Sequence, residues 1–187
     1  MVAIDNTTLA LLFHPGAKPP NDPKTGQPLI KARERIEQLI SDLDAEDERI
    51  IIPTPVLCEF LILAGREGSL YLEKIQGAKT LLVSPFDQRA AIELAAMELA
   101  SRGKGGKRVG GLPYQKVKFD RQIVAIARVN GALTIYSDDQ DLERFAKSFG
   151  LRAVCTWDLP VPASKTPLFD NLPDEKARNA DKREPKK

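Results

Sequence analysis

One histidine, two cysteines and no apolar run long enough to cross a bilayer set the first limits on this 187-residue chain. His14 lies in HPGAKPPNDPKTGQP, rich in proline and glycine and read as a surface loop, so Ser-His-Asp and Cys-His catalysis have no centre to work from. HExxH and His-rich zinc sites are impossible with a single histidine. Cys58 and Cys155 form neither a disulfide framework nor a zinc pattern, which makes a reducing cytosol the expectation. The longest apolar stretch is broken by Glu59, so no membrane span is expected. Asp5 falls where a signal peptide would carry its basic and apolar regions, and a cytoplasmic location is therefore expected. A formal charge of +2 does not announce a nucleic-acid binder. Any chemistry is expected to run on carboxylates.

What is present is a rhythm of short apolar runs and helical stretches. MVAID reads as a strand ending in an acid, and NTTLALLF as a helix. After the loop, LIKARERIEQLISDL places Leu29, Ile36, Leu39, Ile40 and Leu43 on one face. Arg49 to Pro53 reads as a second strand, leading into PTPVLCEFLILAG, a helix started by Pro53 and Pro55 and stopped at Gly65. That helix looks apolar on every side and is expected to be buried, so Glu59 within it is expected to sit at the helix rim, pair with a cation or bind a metal. The helix SLYLEKIQGA, the strand TLLVSP and the helix DQRAAIELAAMELASRG follow. FDRQIVAIARVNG, ALTIYS, DLERFAKSFG and LRAVCTW then read as helix, strand, helix, strand. Such alternation predicts a three-layer α/β/α fold around a mainly parallel sheet, with ligands at the carboxyl ends of the strands. Residues 1–158 are expected to form one domain. Residues 159–187, rich in proline and charge, are expected to be an extended tail, anchored if at all by Leu168 and Phe169.

The acids gather at one rim of that expected sheet. Asp5 ends the first strand, Glu59 lies just after the second, Asp120 opens the helix before the fourth, and Asp138, Asp139 and Asp141 follow the fourth. Several carboxylates share a small site only when a cation neutralises them. Hard oxygen donors without His or Cys suit Mg²⁺ or Mn²⁺, which orient and activate water for phosphodiester hydrolysis. Asp5, Asp120, Asp138 and Asp139 are each also plausible helix caps, and a rim of caps alone would look similar. Cys58 is expected to be a buried small hydrophobe.

Other motifs fail. KGGKRVGG is no phosphate loop, because Arg108 stands where Ser or Thr is required and Ser101 where the first glycine belongs. The stretch reads as a flexible basic loop in which Arg102, Lys104, Lys107, Arg108, Lys116 and Lys118 track a nucleic-acid backbone beside Tyr114, or as a merely solvated loop.

AIDNTTL, IIIPTPVLCEFL and KFDRQIVAIARVNGALTIYSDDQDLERF, in this order and spacing, resemble the PIN-domain ribonucleases of the VapC toxin kind over residues 1 to about 157. The resemblance implies a metal-dependent endoribonuclease acting on RNA, with Asp5, Glu59, Asp120 and Asp139 as its acidic set. It aligns Ser137 and Asp139 with the family's Thr-x-Asp turn, matches Asp141 to a further acid, and leaves Asp138 local to this chain. Asn6 stands where the family commonly has Thr or Ser, so the supporting hydroxyl would come from Thr7 or be replaced. A homodimer and an inhibiting antitoxin are further implications. The alternatives are a catalytically silent PIN module that binds RNA or a partner, and a haloacid-dehalogenase-type phosphatase, which Thr7 disfavours by occupying the second Asp position of DxD.

Overall fold

The computed structural model describes residues 1–103 and 114–162, with no account of the side chains of residues 102, 103 and 114–117. Lys104, Lys107, Arg108 and the tail beyond residue 162, with Leu168 and Phe169, lie outside the described residues.

Five strands are formed by the short apolar runs: β1 (Val2–Ile4), β2 (Ile50–Pro53), β3 (Leu81–Ser84), β4 (Thr134–Tyr136) and β5 (Arg152–Val154). They pair in the order β3-β2-β1-β4-β5, and every pairing is parallel. A sheet covered on both faces needs side chains that are apolar in both directions, and Ala3, Ile4, Ile50, Ile51, Ile52 and Ile135 are all fully buried. The chain runs outward from β1 through β2 to β3, then crosses back to β4 and β5. Right-handed crossovers then place α1 (Asn6–Phe13), α2 (Ala32–Ala45), α3 (Thr54–Ala64) and α4 (Gly68–Gly77) on one face. They place α5 (Gln88–Gly103), α6 (Tyr114–Val129) and α7 (Gln140–Ser148) on the other, completing the three-layer α/β/α architecture.

Strand β4, between β1 and β5, is held by side-chain volume as well as by its ladder. Ile135→Val removes one buried methylene and should lower stability by about 0.5–1.5 kcal/mol in a urea titration, with no change of m-value.

Three sequence readings need correction. Helix α3 is not buried all round: Pro55, Val56, Phe60 and Ala64 face the core, while Cys58 and Glu59 are exposed and Ile62 is 76% exposed. Phe60 packs on Tyr71 at 5.5 Å and Phe13 at 6.2 Å between ring centroids, so this one stripe supplies the helix's anchorage. Cys58 is therefore a surface thiol. The third correction concerns α6, which begins at Tyr114, not near Phe119. Lys116 and Lys118 are helical, and Asp120 lies in the second turn, where no unpaired backbone N–H remains to be capped.

Gly65 ends α3 with φ of 55°, a backbone conformation that glycine adopts without a Cβ penalty, and its N–H closes on the Leu61 carbonyl.

Candidate active site

Strands β1 and β4 are neighbours whose connections leave in opposite directions, which makes the crevice outside their carboxyl ends the topological switch point of the sheet. Asp5 follows β1 directly, and Ser137 follows β4. The Asp5 N–H donates to the Tyr136 carbonyl at 3.1 Å, fastening the two strand ends.

Asp5 is the N-cap of α1: its Oδ1 accepts from the Thr8 N–H at 2.9 Å. Its Oδ2 accepts from the Ser137 hydroxyl at 2.6 Å. Ser137 Oγ in turn accepts from the Asp139 N–H at 3.0 Å. Asp139 caps α7, taking the N–H groups of Asp141 at 2.8 Å and Leu142 at 3.2 Å on Oδ1. One serine thus locks two capping carboxylates into a single rim. Capping and metal ligation do not compete for the same lone pairs, because an ionised carboxylate offers about four acceptor positions.

Asp5 is 5% exposed, and desolvation pushes its carboxyl from an ordinary 3.8 to about 6 against the opposing hydrogen bonds from Ser137 and Thr8. Thr8 was not singled out by the sequence. Its position three residues after a capping Asp was the available signal, and its hydroxyl also donates to the Tyr136 carbonyl at 3.1 Å. Thr7 sits half-buried in the same turn.

Asp138 belongs elsewhere. Its two oxygens accept from the Thr156 N–H at 2.6 Å and the Thr156 hydroxyl at 2.7 Å, which ties the β4–α7 turn to the helical turn Thr156–Asp158 after β5. Burial raises its pKa, and the Thr156 hydrogen bonds oppose that rise. Asp141 pairs with Arg144 at 3.0 Å along α7. Glu59 stands on the exposed side of α3 and Asp120 is half-buried on α6, two helices that pack against each other. The basic residues are less completely placed: Lys118 is exposed on α6, while Arg102 and Lys116 lie on α5 and α6 with side chains that are not described.

Among the described residues, no three His, Cys, Asp or Glu side chains draw together tightly enough to enclose an ion. Mg²⁺ does not require such a cage, since it keeps several waters and is held through one or two carboxylates. Two features fit a hydrated cation at this rim. Asp5 is a desolvated carboxyl whose ionisation no cation among the described residues offsets, and the Asn6 Oδ1, on the next residue of the chain, is buried with no hydrogen-bond partner among the described residues.

Replacing Ser137 by alanine should cost about 1–2 kcal/mol of stability, because it removes the donor to Asp5 and the acceptor for Asp139 together. Loss of that donor also raises the Asp5 pKa further, so the acid limb of any activity profile should move to higher pH. A pH–rate series on the variant checks this.

The PIN domain family model matches residues 29–148, a span that contains Glu59, Asp120, Ser137, Asp139 and Asp141 and begins after Asp5. Among solved structures, the DNA-bound VapBC of Salmonella typhimurium is similar at 17% identity and a TM-score of 0.50, over 83% of this chain and 99% of that one. VapBC2 of Rickettsia felis, bound to a fragment of its promoter DNA, is similar at 16% identity and a TM-score of 0.50, over 83% and 98% of the two chains. VapC20 of Mycobacterium tuberculosis, a toxin that cleaves the sarcin-ricin loop, is similar at 17% identity and a TM-score of 0.48, over 77% and 94%. At these identities the likeness is one of fold. No curated protein matches the chain.

Proposed function

The chain belongs to the PIN domain family, and from that premise we propose that it is a metal-dependent endoribonuclease, the toxin of a VapBC-type pair. The observation that carries this reading is the hydrogen-bonded Asp5–Ser137–Asp139 rim at the switch point, with Glu59 and Asp120 borne by the two packed helices α3 and α6.

Asp5, Glu59, Asp120 and Asp139 would hold Mg²⁺ or Mn²⁺, with Asp141 in support. A bound cation of this kind neutralises a phosphate and activates water for attack on it. The chain's own contribution is fixation. Ser137 sets the orientation of Asp5 and the α7 turn, Thr8 fastens α1 to the end of β4, and the buried Asp5 keeps its charge away from competing water. Arg102, Lys104, Lys107, Arg108, Lys116 and Lys118 would carry the RNA backbone, as basic residues beside a phosphodiester site do. The VapBC neighbours support a cognate antitoxin as partner, and the family resemblance a homodimer. Residues 1–158 act as the nuclease domain in this reading and 159–187 as a basic extension.

The test is incubation of purified protein with a structured and an unstructured RNA in Mn²⁺, Mg²⁺ or EDTA. Cleavage in either metal and none in EDTA is expected. RNA left intact by folded, metal-loaded, antitoxin-free protein would replace this reading with a PIN module that binds RNA or a partner without cutting.

A further inference from the structure

Asp138 stands between the two residues that build the rim with Asp5, Ser137 and Asp139, while its own oxygens are engaged on the far side of the turn. Oδ1 accepts from the Thr156 N–H at 2.6 Å and Oδ2 from the Thr156 hydroxyl at 2.7 Å. Thr156 is 2% exposed, so these charge-assisted bonds are sheltered from competing water. The turn that carries Thr156 is itself fixed. Within it the Cys155 N–H donates to Asp158 Oδ2 at 3.3 Å and the Asp158 N–H to the Cys155 carbonyl at 3.0 Å. From α2, the Arg35 guanidinium donates to the carbonyls of Trp157 and Leu159. Thr156 is therefore a fixed post, and Asp138 is the residue fastened to it.

Main-chain bonds hold the rim turn on either side of Asp138. The Ser137 N–H donates to the Val154 carbonyl at 3.0 Å, and the Asp139 carbonyl accepts from the Glu143 N–H at 2.8 Å. The Asp138 side chain fastens the residue between them. Ser137 Oγ meets two demands at once, donating to Asp5 Oδ2 and accepting from the Asp139 N–H. Both bonds depend on the backbone path from 137 to 139, and each weakens steeply as its angle closes.

We propose that Asp138, clasped by Thr156, is a positioning residue of the site: it fixes the turn in which Ser137 joins Asp5 to Asp139. As a contribution to RNA cleavage this rests on the nuclease reading above. Asp138 acts through Ser137 and Asp139 and not on the phosphate. The fixation is a property of the chain alone and is measurable in metal-free protein.

Thr156→Val removes the hydroxyl and leaves every carboxylate in place. In metal-free protein followed by NMR, the Asp139 N–H should then exchange about tenfold faster or more, while the Ile51 N–H in β2 keeps its rate. With whichever of the structured and unstructured RNAs the unaltered protein cuts, kcat should fall roughly ten- to hundredfold and KM should stay within about twofold, as misplacement of a reacting arrangement does. Thr156→Ser, which keeps the hydroxyl, should restore both readings. Ile75→Val, a core change in α4 that also lowers stability, should move neither. Asp138→Asn can still accept the Thr156 N–H on its amide oxygen and donate to the Thr156 hydroxyl, so its kcat should stay within about threefold. Unchanged Asp139 exchange or unchanged kcat in Thr156→Val overturns the proposal. Should that variant not fold, a loss in Asp138→Asn as large as in Asp120→Asn overturns it, by making Asp138 one of the acidic set. An unaltered protein that cuts neither RNA removes the nuclease reading, and the exchange rates still decide whether the clasp fixes the rim.

Discussion

Asp120→Asn should yield a folded protein whose RNA cleavage is slower by roughly two to four orders of magnitude, as expected when several kcal/mol of transition-state charge stabilisation are lost. The substitution keeps the shape of the side chain. Helix α6 is anchored by Ile123, Val124, Ala125, Ile126 and Ala127, all buried, so the helix does not depend on the carboxylate for its place. Asp120 has no capping duty to lose either, since α6 starts six residues earlier, at Tyr114. A matched control is Glu37→Gln on the exposed side of α2, where the rate should not move. Equal losses at both positions would mean that net charge, not the rim, governs activity.

The second large effect is a gain in stability from destroying the site. Asp5 releases its proton near 6 in the folded chain against an ordinary 3.8. Below the lower value both states are protonated and Asp5 makes no difference. As pH rises between the two values, the unfolded chain has lost the proton and the folded chain still holds it, so stability falls. The full cost, about 3 kcal/mol for a shift of roughly two units, is in place above pH 6. Asp138, whose pKa burial also raises, acts in the same direction. Asp5→Asn removes the ionisation, and its amide oxygen can still cap α1 at Thr8. Metal-free Asp5→Asn at pH 7.5 should therefore be more stable than the unaltered chain by about 1–3 kcal/mol, or roughly 3–10 °C in melting temperature. Mn²⁺ should raise the melting temperature of the unaltered chain and leave that of Asp5→Asn in place, because a ligand stabilises only the state that binds it. A lower melting temperature for the metal-free variant would show that Asp5 is chiefly a structural cap.

The strands were legible because a parallel sheet buried on both faces demands nearly continuous apolar runs, and IIIP or TLLVS can be little else. Helix α6 was legible only from Phe119 onward. Its first turn, YQKVK, reads as a basic loop by charge, yet Lys and Gln are straight-chain residues that lose little freedom in a helix. Glu59 misled for a different reason. A helix of Val, Leu, Phe and Ile has no polar stripe to show which side meets solvent, so the exposure of Ile62 and Leu63 could not be read from periodicity. The rim itself was visible as acids after strands, but its division was not. Asp138 and Asp139 are adjacent and chemically identical. Only the backbone path decides that one reaches Thr156 while the other caps α7 beside Ser137. The cap bond from Thr8 follows from its spacing after Asp5, but the bond from its hydroxyl to the Tyr136 carbonyl joins residues far apart in the chain, which no spacing rule encodes.

The most direct measurement is an anomalous difference map from crystals of the protein soaked in Mn²⁺. The account predicts a peak at the carboxyl ends of β1 and β4, contacted by Asp5 and by oxygens drawn from Glu59, Asp120 and Asp139, and no such peak in Asp5→Asn. A well-occupied peak elsewhere, for example beside Asp138 and Asp158, or a soaked rim without manganese, would contradict it.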